Sequence, residues 1–223
     1  MPARLRPSAP IAAAALLVGD PGRALMLAQA LLEQPKMSNH ARGLWGYWGK
    51  TPAGAELTIQ STGMGGPSAA LVLSDLVELG VRRAIRVGTC SALDPKPRTG
   101  ALLSIREARA WAGPGTAGGA RVEPDSELAA RLREELGAAA GEALVASFDV
   151  LHAGGSAPAP AAGDVADMQT AALFARGREL GVALAAVLIV TDSAGGTLAD
   201  ERLEAAAKAS GEAAARALSN PRV

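Results

Sequence analysis

The chain has 223 residues, and 22 basic residues balance 22 acidic ones, so it carries no net charge at neutral pH. That balance, with no basic tract, argues against a nucleic-acid or anionic-membrane partner. Hydrophobic residues make up 49% of the chain and charged residues 20%, which is typical of a globular protein. The single cysteine, Cys90, excludes an internal disulfide and fits a reducing cytoplasm. Two histidines and one cysteine also disfavour an all-protein transition-metal site.

Strands alternate with helices along the chain. Short apolar runs closed by Gly or Pro predict strands, and apolar residues at helical spacing predict helices. The predicted elements are a strand at 14–18, a helix at 24–32, a strand at 57–61, a helix at 68–79, strands at 84–87 and 101–105, a helix at 127–136, a strand at 143–147, a helix at 165–180, a strand at 183–190 and a helix at 198–218. We expect one α/β domain over residues 1–223, with a parallel or mixed sheet covered on both faces. A loop of small residues and proline at 153–163 is a candidate lid.

Three small-residue turns each follow a predicted strand. They are Gly19-Asp20-Pro21-Gly22-Arg23, Gly63-Met64-Gly65-Gly66-Pro67-Ser68 and Arg86-Val87-Gly88-Thr89-Cys90-Ser91. In open α/β sheets ligands bind beyond the carboxyl ends of strands, and glycine lets backbone N–H groups approach an oxyanion. Arg23 and Arg86 could hold a phosphate in bidentate fashion, with a hydroxyl from Thr89. Ordinary turns with surface arginines are the alternative interpretation of each turn taken alone.

The three turns, together with the segment His40-Ala41-Arg42-Gly43-Leu44-Trp45-Gly46-Tyr47 between the first two, resemble bacterial hexameric purine nucleoside and uridine phosphorylases. The resemblance is ordered and correctly spaced from about residue 14 to residue 105, and it resumes more faintly at Asp167-Met168-Gln169 and Val190-Thr191-Asp192. It implies a three-layer αβα fold whose central sheet is mixed and partly barrel-like.

For phosphate, the resemblance implies a site made of Gly19, Arg23, Arg86 and Thr89. It also implies that Arg42 reaches the phosphate of a neighbouring subunit, so that the active unit is a homodimer or a trimer of dimers.

For the nucleoside, the resemblance implies that Met64, Met168 and Gln169 contact the ribose and that Cys90, Ser91 and Leu151 lie beside the base. Asp192 matches the aspartate that protonates N7 of the purine as the glycosidic bond breaks, which is general acid catalysis.

The chain departs from the family on the nucleoside side. Gln169 stands where the family has a glutamate that holds the ribose hydroxyls, and Leu151 stands where it has an aromatic residue that stacks on the base. The arginine that supports the aspartate is missing after Asp192, and Arg202 is the nearest substitute. An amide can donate and accept hydrogen bonds but lacks the charge that strengthens them.

These patterns predict a nucleoside phosphorylase, a pentosyltransferase that uses inorganic phosphate as co-substrate and no cofactor or metal. Asp192 favours purine nucleosides. Two alternatives remain open: a divergent member that binds phosphate or a nucleoside-like ligand with little turnover, and a uridine phosphorylase. Hydrolysis is disfavoured because Gln169 removes one carboxylate that could activate water.

Overall fold

A computed structural model of the protein describes residues 4–93, 95–111, 119–149, 151 and 163–219. The strands are β1 (Ala14–Val18), β2 (Glu33–Asn39), β3 (Gly46–Lys50), β4 (Glu56–Ser61), β5 (Arg83–Ala92), β6 (Leu102–Trp111), β7 (Arg121–Val122), β8 (Gly141–Phe148), β9 (Val165–Asp167), β10 (Ala183–Ser193) and β11 (Gly196–Thr197). The helices are α1 (Pro21–Leu31), α2 (Gly65–Glu78), α3 (Ser126–Leu136), α4 (Thr170–Leu180) and α5 (Asp200–Ser219), with a 3-10 turn at Ala41–Gly43. The predicted loop at 153–163 lies, apart from Gly163, outside the described residues.

All the described strands belong to one mixed sheet. Strands β4, β1, β5 and β10 are neighbours and run parallel, while β2, β3 and β4 form an antiparallel edge. Because β10 pairs with both β5 and β6, the strands β5, β10, β6, β8 and β9 close on themselves. The expected mixed, partly barrel-like sheet is therefore confirmed.

Helices cover both faces of the sheet, so the predicted three layers are also confirmed. On one face α2 and α4 pack against each other, and on the other face α5 packs against α1 and α3. Strand residues alternate between the two cores: Leu17 of β1 lies in the core under α2 and α4, whereas Leu16 lies in the core under α1, α3 and α5. Such a strand is apolar on both sides, which is why apolar runs predicted the central strands.

The longest helix, α5, approaches α1 closely. A Cβ atom on Gly211 would lie 2.7 Å from Leu27 Cδ2, so any side chain there would require the Leu27 side chain to move. Within the described part of the chain, no helix is both long and apolar enough to cross a membrane.

The helix predicted at 165–180 is wrong in its first part. Residues Val165–Asp167 form β9, which pairs with β8 and with the end of β5, and α4 begins only at Thr170. The Asp167 carboxylate accepts a hydrogen bond from the Thr170 backbone N–H at 3.1 Å, which satisfies one of the unpaired donors at the start of the helix.

Strand β2 was missed because its sequence, Glu-Gln-Pro-Lys-Met-Ser-Asn, has no apolar alternation. It is an edge strand that pairs with β3, and an edge strand tolerates proline and charge. Pro35 lies inside this strand.

The N-terminal segment is anchored on α2 by one buried carboxylate. Asp75 accepts backbone N–H bonds from Arg4 at 2.6 Å and Leu5 at 2.9 Å, and its other oxygen lies 3.0 Å from Arg4 Nη1. The side chain of Asp75 is fully buried, while that of Arg4 is 35% exposed. The contact with the backbone therefore matters more than the ion pair.

We predict that Asp75→Ala lowers the free energy of unfolding by about 2–4 kcal/mol, because two backbone N–H donors lose their acceptor. Arg4→Ala is the control, and it is expected to cost less than about 1 kcal/mol because it removes only a partly exposed contact. Urea unfolding followed by tryptophan fluorescence measures both variants. Equal losses would contradict the assignment of the anchor to the backbone contacts.

Candidate active site

A cavity of about 390 Å³ opens at the carboxyl ends of the parallel strands. Its position follows from the partners of β5. One edge of β5 pairs with β10 along its length, while the other edge pairs with β1 as far as Arg86 and with β9 from Ser91 onward. Residues Gly88, Thr89 and Cys90 lie in the gap between these two partners and line the cavity. Ligands in α/β sheets bind at such points where strand neighbours change.

Ten of the twelve residues predicted for the site line this cavity. They are Gly19, Arg23, Met64, Arg86, Thr89, Cys90, Ser91, Leu151, Met168 and Gln169. The other two, Arg42 and Asp192, are not among its lining residues.

The first turn brings Arg23 to the cavity at the start of α1. Asp20 caps this helix by accepting from the Arg23 backbone N–H at 2.7 Å, and Pro21 occupies its first turn. Burial lowers the pKa of Arg23, Asp20 opposes that change, and the positive charge of Arg86 adds to the lowering. Because the charge of Arg86 lowers the pKa of Arg23, the two guanidinium groups lie close enough to interact electrostatically. Arginine keeps its charge in proteins, so two cations face the cavity.

The second turn places backbone N–H groups of α2 at the cavity. Gly63 and Gly65 adopt positive φ values of 71° and 79°, which favour glycine. Helix α2 begins at Gly65, and its preceding residue, Met64, makes no side-chain cap. The first N–H groups of a helix lack intrahelical partners and attract anions. Met64 itself is 86% exposed, which is unusual for a large apolar side chain.

Arg86 lies in β5 and is only 4% exposed. It donates from Nη2 to Asp167 at 3.1 Å, from Nη1 to Gln169 at 2.6 Å and from Nε to Thr170 at 3.1 Å. A guanidinium group has five N–H donors, so one donor on each terminal nitrogen remains for a ligand. The group lies against Gly88, where a Cβ atom would be 2.6 Å from Arg86 Cζ.

Asp167 fixes the position of the Arg86 guanidinium through a buried hydrogen bond. Besides Arg86, it accepts from the hydroxyls of Ser147 at 2.5 Å and Thr170 at 2.6 Å. Sequence reasoning did not place Asp167, Ser147 or Thr170 in the site. The network could not be found from local sequence, because the partners of Asp167 lie 20 and 81 residues away in the chain.

Gln169 lies where the two glycine turns meet Arg86, and it is 3% exposed. Its Oε1 accepts from Arg86 Nη1 and lies 3.0 Å from Thr62 Oγ1. Its Nε2 donates to the Gly63 carbonyl at 2.6 Å and, more weakly, to the Gly65 carbonyl at 3.4 Å.

The wall assigned to the base contains a thiol and an apolar residue. Burial raises the pKa of Cys90 well above its ordinary value, and the negative charge of Asp167 raises it further. Its Sγ donates to the Ile189 carbonyl at 3.7 Å. Cys90 is thus a neutral, packed thiol, not a nucleophile. Leu151 is 37% exposed at the edge of the cavity.

Asp192 lies near the end of β10, where the register with β5 shifts between Val190 and Asp192. Thr191 lines the cavity, whereas the Asp192 carboxylate accepts from the hydroxyls of Thr191 at 2.8 Å and Thr197 at 2.9 Å. The guanidinium group of Arg202 lies beside Gly100: a Cβ atom placed on Gly100 would be 3.1 Å from Arg202 Nη2.

Arg42 lies in the 3-10 turn, exposed, in a left-handed conformation with φ of 60°. Two buried amides hold this turn: Asn39 Nδ2 donates to the Leu44 carbonyl at 2.5 Å, and Gln60 Nε2 donates to the same oxygen at 2.9 Å. A left-handed arginine is uncommon, and this one lies in a turn whose end is held by the two amides.

Among the described residues, no group of three or more His, Cys, Asp or Glu side chains is placed to hold a metal ion.

Comparison with known proteins agrees with this architecture. A model of the Phosphorylase superfamily matches residues 13–220. In the purine nucleoside phosphorylase DeoD-type of Oceanobacillus iheyensis, 79 aligned residues are 46% identical, covering 35% of this chain and 33% of that protein. In the DeoD-type enzyme of Clostridium beijerinckii, 98 aligned residues are 39% identical, covering 44% of this chain and 41% of that protein. The alignments thus span less than half of these curated relatives.

A solved structure extends the likeness over nearly the whole fold. The purine nucleoside phosphorylase of Toxoplasma gondii, solved in complex with immucillin-H, superposes with a TM-score of 0.84 at 21% identity and covers 94% of this chain and 91% of its own. Since the superfamily match covers both glycine turns, the arginines and the β10 segment, this chain belongs to the Phosphorylase superfamily.

Proposed function

We propose that this protein is a nucleoside phosphorylase that moves a ribosyl or deoxyribosyl group from a nucleoside, preferably a purine nucleoside, to inorganic phosphate. The observation that carries the proposal is the convergence of Arg23 and Arg86 with two glycine turns in one cavity at the carboxyl ends of the strands. Residues 1–223 act as one domain in the cytoplasm, with phosphate as co-substrate and no cofactor.

Phosphate binds between Gly19, Arg23, Arg86 and Thr89 in this proposal. The arginines supply charge-assisted hydrogen bonds, and the N-terminus of α2 adds N–H donors. Asp167 holds Arg86 before the anion arrives, so the donors need no reorganisation during the reaction.

The sugar lies against Met64 and Met168, which share a wall with Gln169, and the base lies toward Cys90, Ser91 and Leu151. Phosphate attacks the anomeric carbon as the bond to the base breaks, and positive charge develops on the sugar. A bound phosphate dianion stabilises that charge. As the bond to the base breaks, the protonated carboxyl of Asp192 gives its proton to the base, exchanging its threonine hydroxyl partners for the base. The phosphate dianion loses its own proton when its oxygen bonds to the sugar carbon, and that proton restores the carboxyl group.

The alternative function is binding of phosphate or a nucleoside-like ligand with little turnover. Two observations favour it. The Asp192 carboxylate is not among the groups lining the cavity, and the Gln169 amide is engaged by protein groups.

The direct test incubates the protein with a panel of purine and pyrimidine nucleosides, with and without phosphate. Release of a free base that requires phosphate is expected, and Arg23→Ala should raise KM for phosphate about 10- to 100-fold because it removes charge-assisted hydrogen bonds. Arg178→Ala, an exposed arginine at the end of α4, is the matched control and should match the wild type. Phosphate binding without release of any base would refute turnover and favour the alternative.

Asp192→Asn tests the general acid. We expect kcat to fall by about 10²- to 10⁴-fold with a purine nucleoside, since an amide cannot deliver the proton, while KM for phosphate changes little. Asp200→Asn, an exposed aspartate at the start of α5, controls for the loss of a charge. An unchanged kcat in Asp192→Asn would remove this residue from the mechanism.

The role of Arg42 predicts complementation between subunits. Arg42 is exposed and does not line the cavity of its own chain, which fits donation to a neighbour in a homodimer or a trimer of dimers. At a phosphate concentration well below KM, where Arg42→Ala and Arg23→Ala should each be nearly inactive, refolding an equal mixture should restore about a quarter of wild-type activity. Half of the two-fold pairs then contain one chain of each variant, and each such pair carries one intact site. No recovery in mixed oligomers would contradict the shared site.

A further inference from the structure

Thr170, the first residue of α4, joins that helix to the two buried charges of the site. It is fully buried, and Arg86 and Asp167 are only 4% and 2% exposed. The Thr170 hydroxyl donates to Asp167 Oδ2 at 2.6 Å and accepts from Arg86 Nε at 3.1 Å. The Thr170 backbone N–H donates to the same Asp167 oxygen at 3.1 Å. One residue therefore contacts both members of the ion pair.

The direction of each hydrogen bond at this hydroxyl is set by its two partners. A threonine hydroxyl has one proton to donate and two lone pairs that can accept. A guanidinium group only donates, and an ionised carboxylate only accepts. The proton of Thr170 therefore goes to Asp167, and its oxygen accepts from Arg86, so the two bonds exist at the same time. A side chain without a hydroxyl would break both bonds.

The contact with Nε is the one that fixes the plane of the guanidinium group. The Nε–H and one N–H of Nη2 leave the same edge of this planar group, and Thr170 and Asp167 meet that edge side by side. Asp167 does not fill the edge alone, because its Oδ1 accepts from the Ser147 hydroxyl. Gln169 accepts from Nη1. The bond to Thr170 therefore helps to decide where the remaining N–H groups of the two terminal nitrogens point.

We propose that Thr170 is a positioning residue for the anion, whose hydroxyl holds Arg86 Nε so that the remaining N–H donors of the guanidinium stay directed into the cavity. Thr170 is not among the residues lining the cavity, so it acts through Arg86. Its β-branched side chain has few rotamers, and its backbone is bonded to Asp167, so the hydroxyl has a fixed position. The proposal rests on the proposed function only for the identity of the anion, phosphate.

Calorimetric titration with inorganic phosphate alone tests the positioning role. Thr170→Val keeps the shape of the side chain but leaves Arg86 Nε without its acceptor, so phosphate binding should weaken about 5- to 50-fold. Thr170→Ser keeps the hydroxyl and should bind phosphate within about threefold of the wild type. Circular dichroism and thermal midpoints establish that the variants are folded. If Thr170→Val does not fold, Thr170→Ala removes the same hydroxyl from a smaller side chain and takes its place.

Thr58→Val is the matched control, because it removes a threonine hydroxyl that is equally buried but lies in β4 and outside the site. The Thr58 hydroxyl accepts from the Ala12 backbone N–H at 2.8 Å. Its loss should lower the thermal midpoint and leave phosphate binding unchanged.

A second measurement observes the Arg86 contact itself. In isotope-labelled protein, the Nε–H signal of Arg86 is identified in the nuclear magnetic resonance spectrum by its absence from Arg86→Lys. The wild type and Thr170→Ser should show this proton exchanging slowly with water, because it is buried and hydrogen-bonded. In Thr170→Val the exchange should be at least about tenfold faster.

The outcomes are distinct. The positioning role is overturned if the wild type does not bind phosphate, if removing the Thr170 hydroxyl leaves phosphate binding or Nε–H exchange unchanged, or if Thr170→Ser binds as weakly as Thr170→Val. An equal loss of phosphate binding in Thr58→Val would also overturn it, since the effect would then be one of general stability. A wild-type protein that binds phosphate but releases no base would overturn only the proposed phosphorylase activity.

Discussion

The buried ion pair between Arg86 and Asp167 is the contact on which the site depends. Both side chains are almost completely buried, with exposures of 5% and 1%. Removing such charges from water costs several kcal/mol per ion, and the pair is tolerated only where further hydrogen bonds satisfy both groups. Here Ser147 and Thr170 complete the shell of the carboxylate, while Gln169 and Thr170 hold the guanidinium. The network links β5, β8 and the start of α4.

The closure of the sheet puts this network where a ligand can reach it. On one edge of β5, β1 ends its pairing at Arg86 and β9 begins at Ser91. The interval exposes one stretch of strand, Gly88–Cys90, inside an otherwise buried sheet. Residue 88 must be a glycine, because the Arg86 guanidinium folds back over the strand and occupies the space that a Cβ atom on Gly88 would need. The same discontinuity that allows five strands to close therefore also creates the cavity.

Local patterns predicted the parts of this arrangement that are encoded locally. The apolar run of β1 and the long apolar run of β10 are visible because both faces of those strands are buried. The glycine turns are visible because positive φ at Gly63 and Gly65 demands glycine. Neither β9 nor the Asp167 network has such a signal. Three residues of strand are too few for periodicity, and the partners of Asp167 are distant in the chain.

The position of Asp192 could not be read from its sequence for a different reason. In a regular strand, alternate residues share a face, so an irregularity of one residue exchanges the side chains that face the ligand. The register of β10 against β5 shifts between Val190 and Asp192, and Thr191 is the residue that lines the cavity. Thr191 then offers its hydroxyl to Asp192 at 2.8 Å.

The two halves of the site differ in the burial and hydrogen bonding of their side chains. In the anion half, Arg86, Asp167 and Gln169 are buried, and Arg86 is hydrogen-bonded to both of the other side chains. The opposite half includes exposed apolar side chains, above all Met64, which is 86% exposed, and Leu151. A preorganised cation site stabilises an anion without reorganisation, whereas exposed apolar side chains can repack around differently shaped partners at low cost. A substitution in the anion half must therefore replace several hydrogen bonds at once, whereas one at Met64 or Leu151 need not.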